Sequence, residues 1–373
     1  MSFLKAISLE KKHRVHTHHK VFVNQDCVVE YGDPKNNTTF GFIGSAGRGK
    51  TVSLFATADQ FENAIYFDPK GGSSEAVRFL SIQGHWEQYA IKKIKNSPVT
   101  KYLEINASEL TEDIENILSF KRKLEDKARI SNCLREFLSM RKEERTYETL
   151  KRVFFQRKLP FVMEDLEPIL SQTDSGITVK EACKGQKVVD IVGLSIENRC
   201  IAIFLTLIIG YKRRLKGVEE RTGKRLIEPL FVGCDDCQTY AVQSTALGKA
   251  FEISFSEGRQ FVISSCLAGT NRGKLAPSIK GNMTTLFIFA SKTEVNSFWE
   301  KEKIDVDITK LKELDELYGT KGNFYLHSEE NPELCQYAHY DVKYYQRLRQ
   351  QGSLKHFSNL EKAKAITRFA RLV

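Results

Sequence analysis

One loop of the sequence has the residue types and the spacing of a phosphate-binding site. Residues 44–51 match the pattern GxxxxGK[ST] in full, between a short apolar run and a segment with apolar residues at helical spacing. In such a loop glycines let backbone N–H groups surround phosphate oxygens, the lysine reaches the outer phosphates, and the hydroxyl completes a Mg²⁺ shell. We therefore predict ATP and Mg²⁺ as cofactors. The predicted nucleotide-binding residues are Gly44, Ser45, Ala46, Gly47, Arg48, Gly49, Lys50 and Thr51.

A pair of carboxylates follows a second apolar run. Residues 230–233 predict a buried strand. Cys234 follows this strand, and Asp235 and Asp236 come next. Hydrolysis at a phosphate-binding loop needs a carboxylate that holds the metal and usually a second one that orients water. We predict that Asp235 positions the metal with Thr51, and that Asp236 is the base or water-orienting group. Lys50 completes this catalytic set. The alternative is that an aspartate here only caps a helix.

The elements around these residues predict an α/β fold with a mostly parallel sheet. Short apolar runs bounded by turn residues predict buried strands, and the apolar segment 197–215 predicts a buried helix. Strands that alternate with helices favour a parallel sheet that is covered on both faces. The predicted strands span 38–43, 63–68, 187–192, 230–233, 261–265, 284–289 and 323–326.

The chain divides into a core with an insertion and two terminal segments. Charged sequence with apolar residues at helical spacing interrupts the α/β pattern and predicts a helical insertion. Strand-like alternation over 20–31 predicts a small N-terminal β element, and 360–371 predict a basic helix. The predicted boundaries are 1–37 for the β element and arm, 38–105 and 176–345 for the core, 106–175 for the insertion, and 346–373 for a helical tail.

The charge of the chain is positive and concentrated. Lys and Arg number 57 against 47 Asp and Glu, a net charge of +10, which favours polyanionic partners. Residues 121–158 contain 13 Lys and Arg against 6 Asp and Glu, so +7 of this charge lies in the insertion. Two interpretations stay open: solvated helix faces, or a surface that contacts the phosphates of DNA.

Other patterns exclude several classes of protein. The N-terminus lacks a signal-peptide core, and the longest apolar run, 200–210, is too short to cross a membrane. We therefore expect a cytoplasmic protein with no integral membrane segment. The 8 cysteines are scattered, which predicts reduced thiols, and Cys234 and Cys237 are interpreted as ordinary strand-end residues despite their CxxC spacing.

Two clusters near the chain ends have competing interpretations. The histidines at 13, 16, 18 and 19 suggest metal binding, but a basic arm is favoured because the cluster has no carboxylate or cysteine partner. The tyrosines at 337, 340, 344 and 345 stand near basic residues and suggest base stacking, although such residues more often form the edge of a core.

The motifs together resemble the FtsK/HerA superfamily of ring-forming DNA-pumping ATPases, with the greatest similarity to conjugative coupling proteins of the TraD/TraG type. The resemblance covers roughly 38–75 and 185–330. Besides the phosphate-binding loop, it depends on Phe67-Asp-Pro-Lys-Gly71, on the strand 188–194 with Glu197-Asn-Arg, on Asp235-Asp236, and on the segment 258–265.

The resemblance implies a RecA-like P-loop NTPase core that forms a homo-oligomer, a hexamer in the family. ATP would then lie at subunit interfaces and DNA would pass through a central channel. Arg259 matches the family's arginine that acts in trans on the neighbour's γ-phosphate, where a guanidinium stabilises developing charge. Implied partners are DNA and a relaxase or secretion or packaging machinery, at the inner face of the membrane. The implied function is ATP-driven DNA movement in conjugation or in related mobile-element or viral DNA packaging.

The chain departs from the family pattern at three places. Asp236 replaces the usual glutamate, Ser264-Ser265-Cys266 stands where the family ends a strand with glutamine, and no membrane-spanning helices precede the core. The first two departures favour an alternative function, a nucleotide-dependent switch or assembly factor with little or no hydrolysis. A small-molecule kinase is disfavoured because the chain has no compact lid segment with phosphate-clamping arginines.

Overall fold

The structure is a computed structural model with side chains. It describes residues 19–25, 28–31, 39–73, 76, 86–90, 114–170, 179–190, 199–224, 226–270, 272–289, 304–328, 332 and 335–350. The histidines at 13, 16 and 18 and the basic helix predicted over 360–371 lie outside these residues.

A small β-hairpin opens the described chain, as the sequence predicts. Strand β1 (His19–Phe22) pairs antiparallel with β2 (Val28–Tyr31), and Val21 and Val23 are fully buried. The Val23 carbonyl accepts the Asp341 N–H at 3.2 Å, so the hairpin is fastened to the C-terminal part of the molecule.

Among the described residues, nine strands form the main sheet, in the order β11-β10-β9-β3-β8-β7-β4-β6-β5. From β9 to β5 all neighbours are parallel, whereas β10 and β11 add an antiparallel edge. The strands are β3 (Phe40–Ile43), β4 (Ala64–Asp68), β5 (Trp86–Ala90), β6 (Gln186–Asp190), β7 (Leu230–Cys234), β8 (Ile263–Gly269), β9 (Thr285–Phe289), β10 (Asn323–Ser328) and β11 (Gln336–His339).

Helices cover both faces of this sheet, which confirms the predicted α/β class with a mostly parallel sheet. Side chains alternate along β4: Ile65 and Phe67 join one buried cluster, and Ala64 and Tyr66 join the other. The labelled helices are α1 (Lys50–Ala58), α2 (Leu124–Ser139), α3 (Tyr147–Gln156), α4 (Pro160–Leu170), α5 (Val179–Ala182), α6 (Arg199–Thr222), α7 (Cys237–Tyr240), α8 (Ala246–Glu257), α9 (Pro277–Gly281), α10 (Ile308–Tyr318) and α11 (Val342–Gln350).

The two clusters divide the helices between them. The helices α2 to α6 and α8 pack on one face, so the helical insertion shares a core with the acidic strand β7. Helices α1 and α11 pack on the other face with β3 and β10. Among the described residues, no helix combines the length and the apolar composition that crossing a membrane requires.

Strand β8 differs most from its predicted bounds. It begins at Ile263 and continues to Gly269, whereas the sequence predicts 261–265. Residues Gly258–Phe261 form a 3₁₀ turn, and Val262 has a left-handed φ of 55°, so the strand cannot begin before Ile263. Helix α6 likewise runs past its predicted end, to Thr222.

Candidate nucleotide-binding site

The predicted phosphate-binding loop connects β3 to α1 at the carboxyl edge of the parallel sheet. Its backbone needs glycine at two positions for different reasons. A Cβ on Gly44 would lie 2.4 Å from the Phe289 carbonyl oxygen, which leaves no room for a side chain. Gly49 has a φ of 91°, and a Cβ there would lie 3.0 Å from the Gly322 nitrogen.

Helix α1 presents an uncapped N-terminus to this loop. It begins at Lys50, and its N-cap, Gly49, has no side chain that could accept from the first N–H groups. The first turn contains no acidic residue. Free N–H groups and the positive end of the helix dipole therefore favour an anion at this point, which is what a nucleotide phosphate supplies.

Lys50 lies over its own loop. Its Nζ donates to the Ser45 carbonyl oxygen at 2.7 Å, and the side chain is buried. Burial lowers the pKa of Lys50 because it disfavours the charged ammonium, and the nearby Asp235 carboxylate opposes that effect. A buried cation whose partner is one carbonyl fits a site that a phosphate would neutralise.

Thr51 and Asp235 lie in hydrogen-bond contact, although 184 positions separate them in sequence. Strand β8 lies between β3 and β7, and because all three are parallel their carboxyl ends share one edge. The Thr51 hydroxyl donates to Asp235 Oδ2 at 2.5 Å, and the Asp236 N–H donates to Oδ1 at 2.8 Å. Burial raises the pKa of Asp235, and the hydrogen bond from Thr51 opposes this rise. Adjacent hydroxyl and carboxylate oxygens are ligands that Mg²⁺ prefers, so these residues fit the predicted metal.

Asp236 has side-chain partners that a helix cap would not have. It stands at the N-cap of α7 with a left-handed φ of 51°, but its side chain makes no capping hydrogen bond. Its Oδ2 lies 3.0 Å from Lys70 Nζ, and its Oδ1 accepts from Gln238 Nε2. The carboxylate is thus oriented from two sides at the edge of the phosphate-binding site.

The turn after β4 positions Lys70, a residue for which sequence reasoning gave no role. The Asp68 carboxylate accepts four consecutive backbone N–H groups, from Lys70 and Gly71 through Gly72 and Ser73, at 2.8 to 3.2 Å. This fixes the turn so that Lys70, with its side chain 65% exposed, points to Asp236. An aspartate at a strand end followed by Pro-Lys-Gly-Gly was the signal that could have identified it.

Strand β8 ends at Gly269, beyond its predicted end at residue 265. Ser264, Ser265 and Cys266 lie inside the strand and are buried, and Ser265 Oγ bonds to Ser254 Oγ at 2.7 Å. These hydroxyls therefore do not lie at the carboxyl end of the strand, where the family has its glutamine. Thr270 follows that end, and its N–H donates to Gln238 Oε1 at 3.1 Å.

Arg259 lies at the opposite edge of the sheet from the phosphate-binding loop of its own chain. It is exposed in the turn before β8, whereas the loop follows the carboxyl end of β3. The seven residues of β8 separate the two edges by roughly 20 Å. The structure therefore does not bring Arg259 to its own nucleotide site.

Arg48 contributes its backbone to the loop but directs its side chain away. Its guanidinium donates to Asp315 Oδ2 at 2.6 Å and to the Thr320 carbonyl at 3.2 Å. Its carbonyl accepts the Gly322 N–H at 2.9 Å. The loop between α10 and β10 thus braces the outer side of the phosphate-binding loop, a contact that the sequence did not predict.

The C-terminal tyrosines belong to the core rather than to a stacking surface. Tyr340, Tyr344 and Tyr345 are buried, and Tyr345 OH donates to Asp59 in the connection after α1. Tyr337 is half-buried against Tyr325, with ring centroids 4.7 Å apart. The interpretation as a core edge is confirmed for the three buried residues.

The helical insertion displays much of its positive charge. Arg157 pairs with Glu136 at 2.8 Å and Arg129 approaches Asp126 at 3.4 Å, so part of this charge is balanced locally. Within the described part of 121–158, the exposed cations are Lys121, Lys123, Lys127, Arg129, Arg135, Arg141, Arg152, Arg157 and Lys158.

The sheet order, the glycine loop at a helix N-terminus and the adjacent acidic strand define a P-loop nucleoside triphosphatase fold of the RecA-like type. No protein-family model and no curated protein matches the chain. Similar folds occur among solved structures. VirB4 of Thermoanaerobacter pseudethanolicus has a TM-score of 0.49 at 12% identity, over 84% of this chain and 92% of that one.

Two further solved structures are similar at a comparable level of identity. The bacterial conjugative coupling protein TrwBdeltaN70 has a TM-score of 0.47 at 11% identity, over 79% of this chain and 77% of that one. EssC (ATPases 2 and 3) from Geobacillus thermodenitrificans has a TM-score of 0.37 at 13% identity, over 90% of this chain and 48% of that one. TrwB is also known in complex with ADP and Mg²⁺. A conjugative coupling protein, the kind of protein that the sequence motifs resemble, is thus among the similar structures.

Proposed function

We propose that this chain is an ATP-driven motor that moves DNA, in conjugative transfer or in related mobile-element or viral DNA packaging. The observation that carries the proposal is the contact of Thr51 with Asp235. It joins a phosphate-binding loop to an acidic strand end, the pair of features that nucleotide hydrolysis requires. The family resemblance and the basic insertion support DNA as the moved substrate.

The residues at the sheet edge have distinct roles in this proposal. Water attacks the γ-phosphorus of ATP while the bond to the bridging oxygen of ADP breaks, and Asp236 orients the water and accepts its proton. Lys50 and the N-terminus of α1 balance the charge on the phosphates. Thr51 and Asp235 would hold Mg²⁺, which when bound neutralises charge on the phosphate oxygens.

Arg259 supports an assembly of several subunits. A guanidinium that stabilises the transferred phosphoryl group must reach that group. Arg259 lies at the amino edge of the sheet, whereas the phosphate-binding loop of its own chain lies at the carboxyl edge. In a ring, one subunit's amino edge can face the next subunit's nucleotide site. We therefore propose that Arg259 completes a neighbour's site in a homo-oligomer, which the family resemblance implies to be a hexamer.

DNA is the proposed partner of the helical insertion. Its exposed cations lie on helices α2 and α3 and on the segments that flank them, and both helices share a core with the acidic strand β7. A cationic surface gains affinity for a polyanion by releasing counterions, and that affinity falls steeply with salt. Movement of the nucleotide site can thus be transmitted to a DNA contact through a continuous core.

A nucleotide-dependent switch is the second candidate function. One observation favours it: Asp236 is engaged by both Lys70 and Gln238, so its carboxylate is not directed to a water alone. In a switch, the nucleotide would bind at the same loop and rearrange these contacts with little turnover.

Steady-state ATP hydrolysis, with and without single- and double-stranded DNA, tests the motor. The native chain is compared with Lys50→Ala and Arg259→Ala, and with Arg221→Ala as a control that removes an exposed arginine near the end of α6. We expect DNA to raise turnover in the native and control proteins and both site variants to lack it. Nucleotide binding without DNA-stimulated turnover would instead support the switch.

Mixing the two inactive variants tests whether Arg259 acts on a neighbour. In mixed assemblies, the Arg259→Ala subunit offers an intact loop and the Lys50→Ala subunit an intact arginine. If the arginine acts in trans, part of the activity returns on mixing. Absence of any recovery, in assemblies shown to contain both variants, contradicts a shared site.

A further inference from the structure

An exposed aromatic ring lies beside the phosphate-binding loop. Tyr318 is the last residue of α10 and is 58% exposed. One face of its ring stacks on His339, with centroids 4.7 Å apart and ring planes inclined by 10°. A ring that a partner holds flat on one side can stack with a ligand on its other side.

Backbone contact joins this ring pair to the phosphate-binding loop. The Gly322 N–H donates to the Arg48 carbonyl at 2.9 Å, and a Cβ on Gly49 would lie 3.0 Å from the Gly322 nitrogen. On the other side, a Cβ on Gly322 would lie 3.3 Å from His339 Cε1. One glycine therefore separates the ring pair from the loop, and both glycines at the contact adopt positive φ.

A chain of hydrogen bonds connects the phosphate-binding loop to the ring pair and fixes the distance between them. Arg48 donates to Asp315 Oδ2, Asn323 Nδ2 donates to Asp315 Oδ1 at 2.7 Å, and His339 Nδ1 lies 2.8 Å from Asn323 Oδ1. Because the amide nitrogen of Asn323 donates, its oxygen accepts, and His339 Nδ1 carries the proton. Burial lowers the pKa of His339 and so favours the neutral form of the ring that backs Tyr318.

We propose that Tyr318, backed by His339, is the stacking platform for the purine base of the nucleotide whose phosphates bind the loop 44–51. This inference rests on the proposed nucleotide binding and adds the subsite that recognises the base. A base that stacks on one aromatic ring gains about 5- to 150-fold in affinity. The platform therefore distinguishes a nucleotide from a bare polyphosphate.

Calorimetric titration of the full chain with two probes tests this role. The probes are Mg-ATP and inorganic tripolyphosphate with Mg²⁺, which shares the phosphates but lacks the base. The variants are Tyr318→Ala, Tyr318→Phe, which retains the ring, and Leu317→Ala, which removes a neighbouring side chain that is 73% exposed. Light scattering records the mass of each variant's assembly.

We expect Tyr318→Ala to raise the Kd for ATP at least 5-fold and to leave the Kd for tripolyphosphate unchanged. Tyr318→Phe and Leu317→Ala should bind both probes like the native chain. Equal weakening of both probes by Tyr318→Ala would overturn the platform, since the ring would then support the loop itself. An unchanged Kd for ATP would also overturn it, and a reduced assembly mass in that case would assign the ring to a contact between copies.

The same titration separates this inference from the proposed function. A native chain that binds tripolyphosphate and ATP with equal affinity retains its phosphate site but has no base platform. A native chain that binds neither probe contradicts both proposals. Lys50→Ala should abolish binding of both probes, in contrast to the selective effect expected for Tyr318→Ala.

Discussion

The ion pair between Arg48 and Asp315 allows a quantitative test of how the phosphate-binding loop is held. The side chains are 15% and 17% exposed, and the guanidinium donates to the carboxylate at 2.6 Å. Exposed pairs contribute up to about 1 kcal/mol, whereas breaking a buried pair costs about 3–5 kcal/mol. This pair lies between these cases and Asp315 also accepts from Asn323, so Asp315→Ala should lower the free energy of unfolding by about 2–3 kcal/mol.

A double-mutant cycle isolates the pair from its surroundings. Urea unfolding of the native chain, Arg48→Ala, Asp315→Ala and the double variant should give a coupling energy of about 1–2 kcal/mol. Glu313→Ala is the matched control because it removes an exposed carboxylate from the same helix, and it should change stability by less than about 0.5 kcal/mol. A coupling energy below about 0.5 kcal/mol, or equal effects of the two acidic substitutions, would refute the bracing role.

Three further predictions concern single substitutions. Gly49→Ala should lose tripolyphosphate binding in calorimetry because its Cβ meets Gly322, whereas Gly223→Ala, at a positive φ with open space around it and outside the loop, should only lower stability by about 1 kcal/mol in urea unfolding. Asp235→Asn should abolish Mg²⁺-dependent nucleotide binding yet raise the thermal midpoint of the nucleotide-free protein. Burial raises the pKa of Asp235, so the ionised carboxylate destabilises the fold above that pKa. The native chain, unlike the variant, should therefore gain stability from this residue as the pH falls towards the ordinary pKa of an aspartate. Tyr66→Phe should raise the free energy of unfolding by about 1 kcal/mol, since that hydroxyl is buried without a hydrogen-bond partner in the described structure; a lower midpoint contradicts this.

Local sequence patterns were sufficient to predict the fold class and the centre of the candidate site. The loop 44–51 is contiguous, and its glycines, lysine and threonine act through backbone geometry that a short segment specifies by itself. Asp235 was predictable because a buried strand that ends in a carboxylate is also a local pattern. The parallel sheet followed from the alternation of such strands with helices. The domain boundaries, the roles of the individual site residues and the trans action of Arg259 stay predictions.

The partners that orient these residues depended on the order of the strands. Lys70 reaches Asp236 because β4 is the neighbour of β7, and the structure alone places those two strand ends side by side. Arg48 pairs with Asp315 across 267 positions of sequence, and no periodicity within either segment signals that contact. The predicted start of β8 was wrong because a 3₁₀ turn and the left-handed Val262 delay the strand to Ile263.

The sequence by itself determined which residues can bind phosphate and metal, because those properties belong to side-chain type and to the backbone of single segments. The tertiary structure decided which charges meet, since Coulomb and hydrogen-bond energies depend on distances between atoms that strand order and loop closure set. The stacked Tyr318 and His339 illustrate this difference: neither residue stands in a motif, and they meet only because β11 returns the chain beside the end of α10.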